Sequence, residues 1–136
     1  MRISARAEYA CLTIIELARS QGLGRPMRAR EIAKSQDIPE CYLVQILLQL
    51  KSAGLVRSLR GSAGGYALMK DAAAITLAEV IFNIDGPGEP LRKSTSSAAN
   101  MLNGALERAR DAERVVLSGV TFVELVGSES PHDYVL

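Results

Sequence analysis

Residues 29–68 read AREIAKSQDIPECYLVQILLQLKSAGLVRSLRGSAGGYAL, and this stretch decides the fold. It predicts a short helix over 29–35 with Ile32 and Ala33 inward, a break at 37–39 and a second helix over 39–53. The break follows because the residue before a proline avoids helical geometry, while Pro39 suits the first turn of a helix. Two helices joined by a tight turn are the outline of a helix-turn-helix. The expected buried stripe of the second helix is Leu43, Ile46, Leu47 and Leu50.

A glycine-rich hairpin is predicted directly after the second helix. Residues 55–59 read as a strand, 60–65 as a turn and 66–69 as the returning strand. A hairpin in this place turns a helix-turn-helix into a winged helix. In that fold the second helix fits the major groove of DNA, and the hairpin wing reaches the adjacent backbone or minor groove.

Further helices are predicted on both sides of this unit. Apolar residues spaced by three and four predict a helix over 3–20, and Thr76 with Glu79 three residues on opens another over 76–84. Residues 86–97 have few large apolar groups and are expected to form an exposed loop. A long helix over 97–118 and a last short one from Thr121 to residue 126 complete a mainly α protein with a small β-hairpin.

Charge is divided unevenly along a chain whose formal net charge is only +1. Residues 1–70 hold eleven basic and five acidic side chains, a net charge of +6, whereas residues 71–136 carry −5. A basic half beside an acidic half indicates a polyanion partner for the first part only. Because 48% of the residues are hydrophobic, the chain can also bury a core.

Several classes of protein are excluded by composition. No apolar run nears the roughly 20 residues that a membrane span needs, and no signal peptide precedes the first helix, so we expect a cytoplasmic protein without a membrane partner. Cys11 and Cys41 are too few for a disulfide scaffold.

The only histidine, His132, makes a His-based catalytic or zinc centre improbable. The serines at 94–97 match no nucleophile motif, and we expect neither an enzyme nor a metal site.

The motifs resemble those of the Rrf2 family of bacterial transcriptional regulators, in its cluster-less branch. The matching segments are Glu31-Ile32-Ala33, Ile38-Pro39, Tyr42-Leu43, Gln45-Ile46-Leu47, Ala53-Gly54-Leu55-Val56 and Arg60-Gly61-x-x-Gly64-Gly65-Tyr66. The resemblance implies a homodimeric winged-helix DNA-binding regulator, expected to be a repressor. It divides the chain into a DNA-binding domain at 1–84, an effector-region loop at 85–97, and a dimerisation helix with a C-terminal tail at 98–136.

Residues on the outward face of the second helix are candidates for reading DNA. In similar family members the positions of Pro39, Cys41 and Val44 face base edges. Val44 and Leu48 are suited to thymine methyl groups. Gln45 either pairs with an adenine edge or holds the protein's own backbone or a neighbouring helix, and Tyr42 either packs or meets a phosphate. The full set of candidate DNA contacts is Arg2, Arg28, Arg30, Pro39, Cys41, Tyr42, Val44, Gln45, Leu48, Ser58, Arg60, Gly61, Gly64, Gly65 and Tyr66.

Arg60 is the strongest candidate in the wing, because arginine suits a narrow and negative minor groove. The wing glycines are expected to let the backbone approach the duplex closely. Arg2, Arg28, Arg30 and Arg57 are either phosphate contacts or solvated surface charges. Arg28 stands where family members often have a serine or threonine cap, so we expect a weaker cap on its helix.

The long C-terminal helix carries a seam with steps of three and four residues. Small residues in such a seam let two helix axes approach closely, and the resemblance implies that this helix forms the dimer. The predicted interface residues are Ala98, Leu102, Ala105, Ala109, Ala112 and Val116.

The effector region lacks the ligands of an iron–sulfur cluster. Cluster-binding members of the family place three cysteines before the long helix, whereas residues 86–100 here contain neither Cys nor His. We therefore predict no cluster and no other cofactor, and the effector would be a small molecule or a protein. Cys41 is either a redox switch near a helix N-terminus or a small neutral residue that permits close approach.

An alternative function is a winged-helix protein-interaction module. The outward positions Cys41, Val44 and Leu48 give the second helix an unusually apolar face, which could dock on a partner protein instead of DNA. The two hypotheses predict a different dependence of binding affinity on salt concentration, because only DNA binding releases many counterions.

Overall fold

The structure is a computed structural model that describes residues 2–127, and all statements below concern that part of the chain. It consists of six α-helices, a single turn of 3-10 helix and one antiparallel hairpin. In chain order these are α1 (Ala5–Gly22), α2 (Ala29–Gln36), α3 (Glu40–Ser52), β1 (Val56–Leu59), β2 (Gly65–Leu68), the 3-10 turn (Ala72–Ala74), α4 (Leu77–Asp85), α5 (Ser97–Ser118) and α6 (Phe122–Gly127). The mainly α fold with a small β-hairpin is confirmed.

Side-chain caps explain where several helices begin. The Ser4 hydroxyl accepts a hydrogen bond from the Ala7 amide at 2.9 Å, so α1 begins at Ala5 and not at residue 3. Thr76 caps α4 in the same way, accepting from the Glu79 amide at 3.2 Å, as its sequence predicted. Each cap satisfies an amide that has no partner within its helix.

The cap of α2 differs because Arg28 offers no acceptor there. The Glu31 carboxylate accepts a hydrogen bond from the Arg28 amide at 3.1 Å, while the Arg28 side chain makes no capping bond. One half of a capping box is therefore formed, which agrees with the weaker cap that the sequence predicted.

The hairpin pairs with a third segment that the sequence did not predict. Val56 lies opposite Leu68, and Leu59 opposite Gly65. In addition, the Met27 amide donates to the Tyr66 carbonyl at 2.9 Å, and the Tyr66 amide donates to the Met27 carbonyl at 2.6 Å. The hairpin is thereby attached to the segment that leads into α2.

The core lies among α1, α2, α3, α4 and the hairpin, and it also includes the short helix α6. Phe122, at the start of α6, is completely buried. Its amide donates to the Ile75 carbonyl at 3.0 Å, and the Leu77 amide donates to the Val120 carbonyl at 2.9 Å. The core of the winged helix therefore includes a residue beyond the segment 1–84. Residues 128–136 of the predicted C-terminal tail lie outside the described residues.

Helix α5 stands apart from this core. Within the single chain it has no buried residue, and one of its contacts with α4 is the Arg114 guanidinium, 5.2 Å from the centre of the Phe82 ring. The predicted seam lies on another face, where Leu102 and Val116 are 59% and 65% exposed. Across residues 2–127, none of the helices combines the length and hydropathy that a membrane span requires.

Candidate nucleic-acid interface

Helix α3 presents two distinct faces. Leu43, Ile46, Leu47 and Leu50 are completely buried, as the sequence predicted. On the opposite side Val44 is 37% exposed and Leu48 is 55% exposed, and Pro39, Cys41 and Gln45 are exposed as well. This outward face is free within the chain to enter a groove. Exposure of Cys41 is compatible with both roles predicted for it.

Tyr42 is the exception among the candidates on α3, because it packs within the protein. Its ring is edge-on to the ring of Tyr9, with 5.6 Å between their centres. The Arg6 guanidinium lies 5.6 Å from the centre of the Tyr42 ring, and Arg6 Nε donates to Gln49 Oε1 at 2.9 Å. Of the two roles predicted for Tyr42, the structure shows packing between α1 and α3.

The glycines of the hairpin fall into two groups. A Cβ on Gly64 would lie 2.3 Å from the Leu59 carbonyl oxygen, and one on Gly65 would lie 2.5 Å from that of Met27. These two glycines are needed for close contacts within the protein itself. Gly61 has a φ of +97° and open space around its Cβ position. It is therefore the wing glycine whose surroundings leave room for a partner.

Arg60 lies exposed at the wing tip, immediately before Gly61. Arg2, Arg30 and Arg57 are likewise exposed, as a phosphate contact requires. Tyr66 is half-buried, because its backbone pairs with Met27 and its side chain packs against the core.

Arg28 differs from the other arginine candidates because its side chain contacts the wing. Its Nη2 atom donates to the Ser62 carbonyl at 2.7 Å and to the Gly61 carbonyl at 3.2 Å. The sequence predicts that Arg28 is either a phosphate contact or a solvated surface charge. The structure adds an intramolecular role that a basic residue type alone does not reveal.

Lys51 was missed among the candidates, although it lies where α3 meets the wing. It is exposed, and its Nζ donates to Ser58 Oγ at 3.0 Å. Leu48 lies four residues after Val44, and Lys51 lies three residues after Leu48. Lys51 therefore continues the outward stripe of α3, and this spacing could have identified it. The contact joins the end of α3 to β1, so that groove-facing and wing surfaces are continuous.

The effector-region loop is attached to α5. Asn103 Nδ2 donates to the Arg92 carbonyl at 2.5 Å, and Arg110 Nη1 donates to the Glu89 carbonyl at 2.6 Å. A cleft of about 670 Å³ lies between the loop and the helix, lined by Arg92, Lys93, Arg110 and polar neighbours. The loop and the predicted dimerisation helix therefore form one surface.

The two cysteines lie in different environments, since Cys41 is exposed whereas Cys11 is not. Cys11 is half-buried on α1, and burial, together with the carboxylates of Asp85 and Glu8, raises its pKa to about 12. A cluster ligand must be a thiolate, which this environment disfavours. Between residues 2 and 127 no three side chains of the types His, Cys, Asp and Glu come together as a metal site would require. His132 lies outside the described residues.

Comparisons with known proteins agree with this geometry. The family model named Rrf2, described as an iron-dependent transcriptional regulator, matches residues 3–128. The chain is 36% identical over 127 residues to the HTH-type transcriptional regulator CymR of Bacillus subtilis, covering 92% of this chain and 89% of that protein. It is 33% identical to the HTH-type transcriptional regulator IscR of Photorhabdus laumondii, covering 98% of this chain and 84% of the relative.

A solved structure shares the fold over nearly the whole chain. It is that of CymR, the global cysteine regulator of B. subtilis, with a TM-score of 0.85 and 32% identity, covering 96% of this chain and 99% of that one. The family and these relatives are transcriptional regulators and not enzymes. An exposed helix face, an adjoining wing and these similarities lead to one conclusion: the chain belongs to the Rrf2 family and is a DNA-binding transcriptional regulator.

Proposed function

We propose that the protein is a homodimeric, sequence-specific repressor that places α3 in the major groove and the wing tip in the adjacent minor groove. The observation that carries this proposal is the continuous surface formed by the outward face of α3, the Lys51–Ser58 contact and the exposed Arg60. That surface belongs to the half of the chain with a net charge of +6.

Base reading would rest on few hydrogen bonds. Val44 and Leu48 present aliphatic groups suited to thymine methyl groups, whereas Gln45 has the amide that pairs with the N6 and N7 edge of adenine. Arg60 would enter the minor groove, where the potential is most negative when the groove is narrow. We therefore expect an operator in which A·T pairs dominate at the contacted positions.

The dimer would form through α5. Its seam of alanines with Leu102 and Val116 is exposed in the single chain, and an apolar stripe on an otherwise polar helix is normally covered by a partner. A second copy related by a twofold axis would cover it with the same residues. Such a dimer would present two copies of α3 and would read a palindromic operator.

The regulatory signal would not be an iron–sulfur cluster. This proposal rests on the donor set, because only Cys11 and Cys41 are present and Cys11 has a raised pKa. We expect protein purified without oxygen to lack both stoichiometric iron and the absorbance at roughly 400 nm that clusters show. Stoichiometric iron with that absorbance would contradict it.

Selection of duplexes from a random pool tests the DNA-binding proposal. We expect enrichment of a palindromic sequence, and binding to it should weaken steeply as salt rises, since each neutralised phosphate contributes about 0.9 to the slope of log affinity against log salt. Transcription in vitro from a promoter that contains the site should fall when protein is added. A pool without enrichment, or an affinity insensitive to salt, would favour docking of the apolar α3 face on a protein.

A further inference from the structure

The wing is held by the residues that lead into α2, and not by its own two strands alone. Met27 pairs with Tyr66 through two backbone hydrogen bonds of 2.9 Å and 2.6 Å. The next residue, Arg28, reaches the adjoining turn, where its Nη2 donates to the carbonyls of Gly61 and Ser62. Two adjacent residues therefore hold the start of β2 and the turn that precedes it.

The bonds made by Arg28 are of the stronger kind. The donor is a guanidinium, and a charged donor makes shorter and stronger hydrogen bonds than a neutral one. One of the two bonds is 2.7 Å long. The acceptors lie in a four-residue turn that is otherwise closed by the Gly64 amide, which donates to the same Gly61 carbonyl at 3.0 Å. Arg28 thus completes the hydrogen bonding of the turn that directly follows Arg60.

Resting on the DNA-binding function proposed above, we infer that Arg28 is a positioning residue that fixes the wing tip relative to the helix-turn-helix. Arg28 is the cap residue of α2, so its backbone moves with the helix-turn-helix while its side chain holds Gly61 and Ser62. The two hydrogen bonds from Arg28 to Gly61 and Ser62, called the clasp below, set the distance between the groove contacts of α3 and the minor-groove contact of Arg60. The contribution of the clasp to DNA affinity is therefore geometric and is not that of a phosphate ligand.

Lysine in place of arginine separates the two roles. Lys keeps the positive charge, so a phosphate contact at this position would tolerate Arg28→Lys. It has a single ammonium on a flexible stem, and it lacks the planar fork of arginine that is pre-organised for several bonds. The clasp therefore fails in Arg28→Lys although the charge remains. Arg25→Lys is the matched control, because Arg25 is exposed three residues before Arg28 and is not among the candidate DNA contacts.

The first measurement needs no DNA. Hydrogen exchange of the Gly64 amide, followed by NMR on the full chain, reports whether the turn is closed. We expect exchange at least fivefold faster in Arg28→Lys and in Arg28→Ala than in the wild type, with no change in Arg25→Lys. Wild-type exchange in Arg28→Lys overturns the clasp, whether or not the protein proves to bind DNA.

The second measurement uses the duplex that wild-type protein selects from a random pool. We expect Arg28→Lys to bind it at least fivefold more weakly than the wild type, with an unchanged salt slope, and Arg25→Lys to bind as the wild type does. Wild-type affinity in Arg28→Lys overturns the positioning role. Absence of any selected duplex would instead count against the DNA-binding proposal, and the exchange result would still decide the clasp.

Discussion

Gly65 and Met27 approach so closely that a Cβ atom on Gly65 would lie 2.5 Å from the Met27 carbonyl oxygen. The φ of Gly65 is +140°, a conformation that residues with a side chain rarely adopt. Space and backbone conformation therefore both require glycine here. The reason is the contact between the wing and the segment before α2, which is independent of any approach to DNA.

Gly65→Ala should consequently destabilise the fold. We expect the free energy of unfolding to fall by about 2–4 kcal/mol, since the clash adds to the strain of an unfavourable φ. Urea denaturation followed by circular dichroism measures the change. Gly22→Ala is the control, because Gly22 lies at the end of α1 with nothing within 4 Å of its Cβ position. Its stability should stay the same or rise, and an equal loss in both variants would contradict this account.

Local sequence patterns were sufficient to predict the positions of the α-helices. The helix predicted over 97–118 is α5, Ser97–Ser118, because a periodic stretch followed a serine cap. The helix predicted over 76–84 is α4, shifted by one residue because Thr76 is its cap. Buried and outward faces of α3 also followed from the helical repeat alone. These features depend on residues within one or two turns of each other.

Contacts between distant residues could not be predicted in this way. The pairing of Met27 with Tyr66 and the return of Phe122 to the core join segments that are far apart in sequence. Neither segment has a local sequence pattern from which its partner could be predicted. For the same reason the role of Arg28 cannot be predicted from its residue type, because the positive charge does not reveal which carbonyl groups the side chain contacts.

The two cysteines should differ in reactivity. Only the thiolate form of a cysteine is a good nucleophile. Because the pKa of Cys11 is raised to about 12, its thiol is protonated at pH 8 and should react slowly. We expect iodoacetamide at pH 8 to modify the exposed Cys41 and to spare Cys11 in the folded protein. Mass spectrometry of the peptides measures both sites. In 8 M urea both should react, and labelling of Cys11 in the folded protein at the rate seen in urea would contradict the prediction.

The same pKa gives a pH dependence of stability with a defined sign. Burial raises the pKa of Cys11 from its ordinary 9.0 to about 12, so the unfolded chain loses this proton first. The contribution of the buried thiol is therefore complete below pH 9 and is lost as the pH rises towards 12. We expect unfolding free energies of wild type and Cys11→Ala to converge over that range. A difference that stays constant with pH would contradict the assignment.

Arg60 is the side chain on which minor-groove binding should depend most. We expect Arg60→Ala to weaken binding to the selected duplex at least tenfold, or about 1.4 kcal/mol, because the wing tip has no other basic residue at 59–65. Affinity is measured at one fixed salt concentration. Lys93→Ala removes the same charge from the effector-region loop and should bind as the wild type does. If Arg60→Ala binds as tightly as Lys93→Ala, Arg60 does not contact DNA.

The α5 seam can be tested without destabilising the protomer, because α5 has no buried residue in the single chain. Ala109 lies at the middle of the seam, where a twofold axis would bring two copies together. Ala109→Glu would place two like charges in an apolar interface, which costs several kcal/mol without a partner. We expect the dimer dissociation constant to rise at least a hundredfold, measured by sedimentation, with affinity for the palindromic duplex falling in parallel. Asn100→Glu, roughly half a turn away from the seam, introduces the same charge on the same helix and should remain dimeric. A dimer of unchanged stability in Ala109→Glu would mean that a surface other than this seam joins the two copies.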